Sequence, residues 1–346
     1  MENRKTILVC GSIVYDRIMN FPGKFSDHIL PDKVHILNVS FALNRLSESF
    51  GGTGGNIAYN LALLGERPKL MGAAGSDFEK YADWLKRNNV DISQVKIADN
   101  ELTASAYIMT DQADNQIAGF YGGPKTPSFP PKADPPLAEI SPLIRGRTIE
   151  APLLTKEGNK GRLNALAIVS PDAVARMSGY VKIFRRIKLP YIFDPGQQIT
   201  ALSAKELKWA TSGAKVLIGN DYEIELILNK IRIKKSDLIK LAKILIITKG
   251  EQGSEIYDQG GRLGGVGKKI IIPPAKPKAV LDPTGAGDAY RAGLIKGMAE
   301  GWNLEKCGRL ASAVAAYTVE KYGTQTHKFS WQELEKRYRE NFREKL

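Results

Sequence analysis

Cysteine and histidine are scarce in this sequence. Its 346 residues include two cysteines and three histidines. Cys10 falls in a predicted buried strand and Cys307 in a predicted helix, a spacing typical of neither a zinc site nor a disulfide framework. The histidines are scattered and form no cluster. We therefore expect no structural metal centre, and a reducing cytoplasm suits a chain with two isolated cysteines.

Long apolar runs are also missing. No run approaches the ~20 residues that a helix needs to cross a bilayer. The first residues lead directly into a strand-like segment, residues 7–10, rather than into a signal peptide. We therefore expect no membrane partner.

Acidic residues are outnumbered, with 37 Asp and Glu against 50 Lys and Arg, a net charge of +13. The basic residues are spread along the chain, with local excesses at 145–162, at 232–243 and in the C-terminal tail. None of these segments is a basic stripe interleaved with aromatic residues. We expect a generally basic surface that suits anionic nucleotides, and no specific nucleic-acid partner. A nucleic-acid-binding protein is the weaker alternative.

Strand-like and helical segments alternate along most of the chain. Short apolar strands are predicted at 6–13, 69–75, 166–169, 191–194, 215–218 and 245–248, with helices between most of them. Repeated strand–helix units favour an α/β fold with a doubly wound, mainly parallel sheet flanked by helices. Residues 1–330 are interpreted as one domain. Residues 331–346 are interpreted as a charged helical tail with a solvated face.

A second, smaller sheet is predicted beside the main one. Residues 34–49 alternate polar and apolar side chains, and 103–110 with 116–121 read as a hairpin. We place the strands of this sheet roughly within 14–50 and 102–122. Residues 142–162, basic and preceded by dense proline, are interpreted as an inserted loop.

Residues 281–294, LDPTGAGDAYRAGL, carry the strongest chemical signal. A glycine turn precedes an apolar-periodic helix that is predicted to begin near Gly285. The unpaired N–H groups of such a helix start bind anions. Asp288 lies in the first turn, where a bound phosphate would repel its carboxylate. A role as general base on an attacking hydroxyl would explain its presence there. The alternative is an ordinary acidic residue that stabilises a helix N-terminus.

A second glycine turn lies at residues 51–56, GGTGGN, before a helical run. Its glycines allow close backbone approach to a ligand, and Asn56 offers both a donor and an acceptor to hydroxyl groups. No G-x-x-x-x-G-K-[ST] motif is present, so nucleotide binding would not be of the P-loop type.

These two segments resemble the signatures of the ribokinase (PfkB) family of sugar and nucleoside kinases, D-T-x-G-A-G-D and G-G-x-x-x-N. Pro283 stands where many members have Thr. The resemblance implies a ribokinase-like fold whose small sheet is a lid over the acceptor. It also implies ATP-dependent phosphorylation of a sugar or nucleoside hydroxyl, with ATP and Mg²⁺ as cofactors. It leaves open a monovalent cation and a homodimer.

The resemblance also implies roles for individual residues. Asp288 would be the base that deprotonates the acceptor hydroxyl, and the backbone of Gly285, Ala286 and Gly287 would form the anion hole.

Residues at the two N-terminal turns would bind the acceptor. Asp16, Gly52 and Asn56 match positions that hold ribose-like hydroxyls, with Ser12 beside them at the end of the first predicted strand. An ordinary turn residue is the alternative for Asp16.

Two further segments would serve the nucleotide. Asn220 and Glu223 match an N-x-x-E element that organises Mg²⁺ and phosphates, so Glu223 would act on the metal indirectly. Thr248, Gly250 and Gly253 match a T-x-G-x-x-G turn near ATP.

Within the family the likeness is greatest to bacterial adenosine kinases, which implies phosphorylation of adenosine to AMP and a role in purine salvage. In those enzymes two glutamines and an aromatic pair surround the purine. Gln197 and Gln198 match the glutamines, and Tyr107 and Phe120 on the predicted hairpin are the aromatic candidates, with lid packing as their alternative role. A sugar kinase acting on ribose or fructose, and a non-catalytic ligand-binding regulator, are the other hypotheses.

Overall fold

Two β-sheets and nine α-helices make up the described part of the chain, residues 5–125, 164–260 and 267–346 of a computed structural model. The strands are β1 (Thr6–Cys10), β2 (Val14–Asn20), β3 (Arg45–Gly51), β4 (Lys69–Gly75), β5 (Asp91–Ala98), β6 (Ala104–Thr110), β7 (Gln116–Tyr121), β8 (Ala165–Val169), β9 (Tyr191–Phe193), β10 (Val216–Asn220), β11 (Ile244–Thr248), β12 (Ser254–Asp258) and β13 (Lys268–Ile272). The helices are α1 (Thr53–Leu63), α2 (Glu79–Arg87), α3 (Val174–Arg186), α4 (Ala204–Gly213), α5 (Asp221–Ile231), α6 (Lys235–Leu241), α7 (Ala286–Ala299), α8 (Leu304–Thr318) and α9 (Trp331–Phe342).

The large sheet has the strand order β13-β12-β11-β10-β9-β8-β1-β4-β5. The seven strands from β11 to β5 are parallel, β12 pairs antiparallel with β11, and β13 pairs antiparallel with β12. Successive residues of β1 enter opposite cores: Ile7 and Val9 pack with α1, α2, α7, α8 and α9, whereas Leu8 and Cys10 pack with α3 to α6. Burial on both faces explains why the central strands read as continuous apolar runs. The predicted doubly wound, mainly parallel sheet is confirmed.

The small sheet, called the lid sheet below, has the order β3-β2-β6-β7. The predicted hairpin is confirmed as β6 and β7. The prediction of strands over 34–49 is wrong for its first part, because Val34 to Ile36 belong to a 3₁₀ helix, Pro31–Ile36. The apolar residue Phe41, which contributed to the alternating pattern, lies outside any strand and packs edge-on against Phe21 and Phe25.

Two edge strands and one helix start were not predicted correctly. Strands β5 and β13 lie at the two edges of the large sheet and are only partly buried, so they lack the long buried runs of the central strands. Helix α2 begins at Glu79 after an N-cap at Phe78. The sequence predicts this helix over 77–88 with Ser76 as its cap, but the Ser76 hydroxyl instead donates to the Glu101 carbonyl at 3.3 Å.

The C-terminal helix α9 has the exposed charged face that was expected, and it also has a buried face against the domain that was not predicted. Leu334 and Tyr338 are fully buried, and the guanidinium of Arg337 lies 3.6 Å from the ring centre of Tyr317. The apolar residues of α9 are few, which hides its buried stripe among charges. The predicted insert at 142–162 lies outside the described residues. Across the described ranges, no helix is long and apolar enough to cross a membrane.

Candidate active site

The first turn of α7 provides the central carboxylate of the site. Gly285, at the N-cap, has φ of +79°, and a Cβ there would lie 2.9 Å from the Thr324 methyl group. Only glycine fits both the left-handed conformation and this contact. The N–H of Ala286 donates to the Pro283 carbonyl at 3.2 Å, which closes the turn before the helix. The next N–H groups belong to the open first turn of a helix, where anions bind.

Asp288 lies in that first turn and is partly exposed. Burial raises its pKa to about 7, against the opposing effects of Arg291 and of a hydrogen bond from Asn56. The Asn56 amide donates from Nδ2 to Asp288 Oδ2 at 2.8 Å. A carboxylate with a pKa near neutrality, beside an open helix N-terminus, is suited to accept a proton from a hydroxyl.

A buried ion pair lies immediately behind Asp288. Arg291 binds both oxygens of Asp194 through Nε and Nη2, and its Nη1 donates to the Gly287 carbonyl at 2.9 Å. Asp194 follows β9 directly, so this pair joins the end of the central strand to the first turn of α7. The sequence does not predict this contact, because nothing local links positions 97 apart.

Asn56 is the point where α1 meets α7. Besides its contact with Asp288, its Oδ1 accepts from Thr324 Oγ1 at 2.8 Å and from Gln325 Nε2 at 3.0 Å. The sequence predicted Asn56 as a ligand-binding residue, and the structure places it against the predicted base. Thr324 and Gln325 were not predicted to have this role.

The other acceptor candidates surround the start of α1. Asp16, in β2, is half-buried, and burial together with the nearby Asp282 raises its pKa to about 6. Gly52 has φ of +84°, and a Cβ there would lie 2.6 Å from the Ser12 carbonyl oxygen. The Ser12 hydroxyl accepts from the Thr53 N–H at 3.1 Å, so Ser12 fixes the N-terminus of α1.

The two aromatic candidates lie on opposite faces of the lid sheet. Phe120 pairs with Ala106, which pairs with Asp16, so Phe120 and Asp16 share a face. Phe120 is 67% exposed. Tyr107 lies on the other face, where its hydroxyl accepts from Arg17 Nη1 at 2.9 Å. The structure therefore does not bring Tyr107 together with Phe120 as an aromatic pair.

The two glutamines lie in a 3₁₀ helix, Gly196–Thr200, that begins just after β9. Gln197 is exposed and Gln198 half-buried. They follow Asp194, whose pairing with Arg291 ties this segment to α7. The structure thus places them at the carboxyl end of β9, as expected for residues that follow a strand of a parallel sheet.

The N-x-x-E element forms the capping box of α5. Asn220 Oδ1 accepts from the Glu223 N–H at 2.7 Å, and Glu223 Oε2 accepts from the Asn220 N–H at 2.8 Å. Burial and the nearby Asp194 raise the pKa of Glu223. These residues therefore have a structural role as a helix cap.

The T-x-G-x-x-G turn follows β11 beside this cap. Thr248 pairs with Asn220 across neighbouring strands. Gly250 and Gly253 have φ of +53° and +81°. A Cβ on Gly253 would lie 2.1 Å from the Ile272 carbonyl, so this glycine is also needed for packing against β13.

Comparison with known proteins agrees with this geometry. Residues 6–144 and 168–331 match the pfkB family of carbohydrate kinases. A nucleoside kinase of Methanothermobacter thermautotrophicus is 30% identical over 330 residues, 94% of this chain and 93% of that protein. The ligand-free nucleoside kinase of Burkholderia thailandensis is similar with a TM-score of 0.78 at 33% identity, covering 96% of this chain and 100% of that one. The structure of the same kinase with ADP-inosine has a TM-score of 0.74 at 33% identity, covering 98% and 97%. The chain therefore belongs to the pfkB family, binds ATP, and is a kinase that phosphorylates a nucleoside or a sugar.

Proposed function

We propose that the acceptor is a purine nucleoside, phosphorylated on its 5′-hydroxyl, and that adenosine is converted to AMP. The observation that carries this proposal is the shared face of Asp16 and Phe120 on the lid sheet. A ribose hydroxyl can donate to Asp16 while the flat base lies against the exposed ring of Phe120. A free sugar has hydroxyls for Asp16 but no planar group for Phe120. The Burkholderia relative, bound to inosine, also supports a purine.

Gln197 and Gln198 supply the polar part of the proposed base site. A side-chain amide both donates and accepts, which matches the edge of a purine. Leaving such groups unpaired in a closed site costs roughly 1–3 kcal/mol each. This cost would discriminate against sugars.

Asp288 would take the proton of the attacking hydroxyl, and the open N–H groups of the first turn of α7 would hold the transferring phosphoryl group. Asn56 orients the Asp288 carboxylate through the 2.8 Å hydrogen bond. Arg291 is buried with Asp194 and places a positive charge behind the same turn.

ATP would extend from the first turn of α7 toward the Thr248 turn, with Mg²⁺ bound mainly by its phosphates. Among the described residues, no group of three or more acidic, histidine or cysteine side chains could cage a metal. One half-buried carboxylate, Glu223, fits a Mg²⁺ ion that keeps water and phosphate ligands. Bound there, Mg²⁺ supplies charge neutralisation of the phosphates.

A panel of acceptors incubated with ATP and Mg²⁺, scored by ADP release, tests the proposal. We expect adenosine and inosine to give a higher kcat/KM than ribose or fructose. Gln197→Ala and Gln198→Ala are expected to raise the KM of the nucleoside more than that of ATP. Asp288→Asn is the control for ADP release that does not depend on the proposed base, because Asn has the size and shape of Asp without its basicity.

A higher kcat/KM for a free pentose or hexose than for any nucleoside would overturn the purine assignment and leave the kinase assignment intact. Equal effects of the glutamine substitutions on ATP and nucleoside would remove these residues from the base site.

A further inference from the structure

A buried hydrogen-bonded chain reaches Asp288 from the segment after α8. Thr324 and Gln325 are each 3% exposed, and both donate to Oδ1 of Asn56, at 2.8 and 3.0 Å. The opposite end of the same amide donates to Asp288 at 2.8 Å. Asn56 thus transmits the position of Thr324 and Gln325 to the proposed base.

Gln325 is itself held on every polar atom. Its Nε2 also donates to the Tyr81 hydroxyl, and its Oε1 accepts from Trp84 Nε1 at 3.0 Å. Both aromatic residues lie on α2, and the Tyr81 hydroxyl donates in turn to the Gly51 carbonyl at 2.8 Å. The Gln325 amide therefore has one orientation in which all its partners are satisfied.

This arrangement decides which end of Asn56 faces the base. An asparagine amide can present either its oxygen or its nitrogen after a half-turn about the last side-chain bond. The Gln325 Nε2 group can only donate, so the flipped orientation would place two N–H groups against each other and an oxygen against a carboxylate. The Thr324 hydroxyl can also donate to the Phe50 carbonyl at 3.0 Å, so its part is the smaller one. The donor end is consequently kept toward Asp288.

We propose that Gln325, assisted by Thr324, is a positioning residue for phosphoryl transfer that locks the Asn56 amide with its donor toward Asp288. The proposal rests on the role of Asp288 proposed above. Gln325 is not expected to touch the acceptor or ATP. Its effect passes through Asn56.

Other charged and titratable groups near Asp288 also influence its pKa. Arg291 lies on the same helix, Asp194 at the end of β9, Glu223 on α5 and Tyr81 on α2. A hydrogen bond to an ionised carboxylate lowers its pKa, so loss of the Asn56 donor raises the pKa of Asp288. Substitution of Gln325 leaves Arg291, Asp194 and Glu223 in place.

The test compares kcat, the KM of ATP and the pH profile of Gln325→Met with those of the unsubstituted chain, using the best acceptor from the panel. Met is close to Gln in volume and removes the two hydrogen bonds that Gln325 Nε2 donates, to Asn56 and to Tyr81. We expect kcat to fall about tenfold, as for loss of one hydrogen bond to a charged group, with the KM of ATP within about twofold. The acidic limb of the profile should move upward by about half a pH unit or more.

A double-substitution experiment shows whether Gln325 acts through Asn56. In an Asn56→Ala background, Gln325→Met should cause no further loss of kcat. Tyr59→Phe is the structural control, because its buried hydroxyl donates to the His327 carbonyl at 2.7 Å and not to Asn56. It should lower Tm without moving the acidic limb.

Thr324 provides a second pair of variants that keeps the test decisive if Gln325→Met does not fold. Thr324→Ser keeps the hydroxyl and should retain kcat within about twofold, whereas Thr324→Val loses it and should shift the limb in the same direction as Gln325→Met. The proposal would be overturned if the acidic limb of Thr324→Val did not move. It would also be overturned if Gln325→Met lowered kcat as much in the Asn56→Ala background as it does alone. A wild-type preference for a sugar would contradict only the purine assignment. An active Asp288→Asn would remove the base on which this proposal rests, whereas an inactive Asp288→Asn with a normal acidic limb in Gln325→Met would contradict the positioning role alone.

Discussion

Asp288 meets two opposing requirements at the scale of a single residue. It must be ionised to accept a proton, yet burial favours its neutral form and raises its pKa to about 7. Arg291 and Asn56 limit that rise. The proposed base is thus half-ionised near neutral pH, where a base combines availability with proton affinity.

Replacing Asp288 with Asn should lower kcat by about 10²–10⁴-fold, the usual cost of losing a general base. ATP affinity, measured by equilibrium titration, should change little because the N–H groups of the turn remain. Turnover within a few-fold of the unsubstituted enzyme would exclude Asp288 as the base.

The pH dependence of activity should follow the same carboxylate. Protonation of Asp288 abolishes its basicity, so kcat/KM should fall as the pH drops through about 7. The pKa of Asp16 is raised to about 6, so protonation of Asp16 should weaken acceptor binding and lower kcat/KM further below pH 6. An acidic limb at pH 4, the ordinary range of an aspartate, would contradict this reading.

Stability should change with pH in the opposite sense. The pKa of Asp288 is higher in the folded state than its ordinary value, so its ionisation destabilises the fold as pH rises toward 7. Asp288→Asn removes this penalty. Its Tm should exceed that of the unsubstituted protein by more at pH 8 than at pH 5, as measured by calorimetry.

Single residues were predictable from sequence where a local motif contains them. Asp288 and Asn56 lie in glycine turns whose purpose is visible locally. Tyr107 was assigned beside Phe120, and the structure places it on the other face. The register of the hairpin sets these faces: Thr110 pairs with Gln116, so Phe120 lies opposite Ala106 and Tyr107 opposite Gly119. The sequence predicted the hairpin, but the faces of its residues were not worked out from that register.

At the scale of elements, the Arg291–Asp194 pair fastens β9 to α7. Both side chains are almost fully buried. Arg291→Met should destabilise the protein by about 3–5 kcal/mol in urea unfolding, because it leaves Asp194 buried without its cation. Adding Asp194→Leu to Arg291→Met should recover part of that loss. A double variant less stable than Arg291→Met alone would contradict the ion-pair explanation.

Helix α9 should contribute to stability through its buried stripe. Leu334 is fully buried in the core shared with α7 and α8. Leu334→Ala should cost about 2–5 kcal/mol, as measured by urea unfolding. Lys336→Ala, at an exposed position two residues away, is the matched control and should change stability by less than about 0.5 kcal/mol. Equal effects of the two substitutions would show that the Leu334 face of α9 contributes no more to stability than its exposed face.

Strands were predictable from the sequence where both of their faces are buried. Central strands such as β1 and β10 are buried on both faces and read as apolar runs. The edge strands β5 and β13, and the packed face of α9, depend on tertiary neighbours that no local pattern reports.

At the scale of the whole molecule, the predicted insert remains a proposal. The match to the pfkB family is interrupted between residues 144 and 168. On either side, the Pro124 carbonyl accepts from Arg176 Nη1 at 2.6 Å, and Ala165 pairs with Thr6. Deleting residues 144–161 should therefore leave kcat and Tm close to their original values. A large fall in Tm would show that the segment packs against the domain.

The position of Gln325 has a consequence for biosynthesis. Asn56, Asp288 and Gln325 come from three distant parts of the chain, and their mutual contacts span 232 to 269 positions. Such contacts form late, since each closes a long loop. A chain still emerging from the ribosome would carry both glycine turns while the Asn56 amide remained free to rotate. With Gln325 as the proposed positioning residue, full phosphoryl transfer is therefore reached only once the chain has been synthesised past residue 325 and that segment has packed against Asn56.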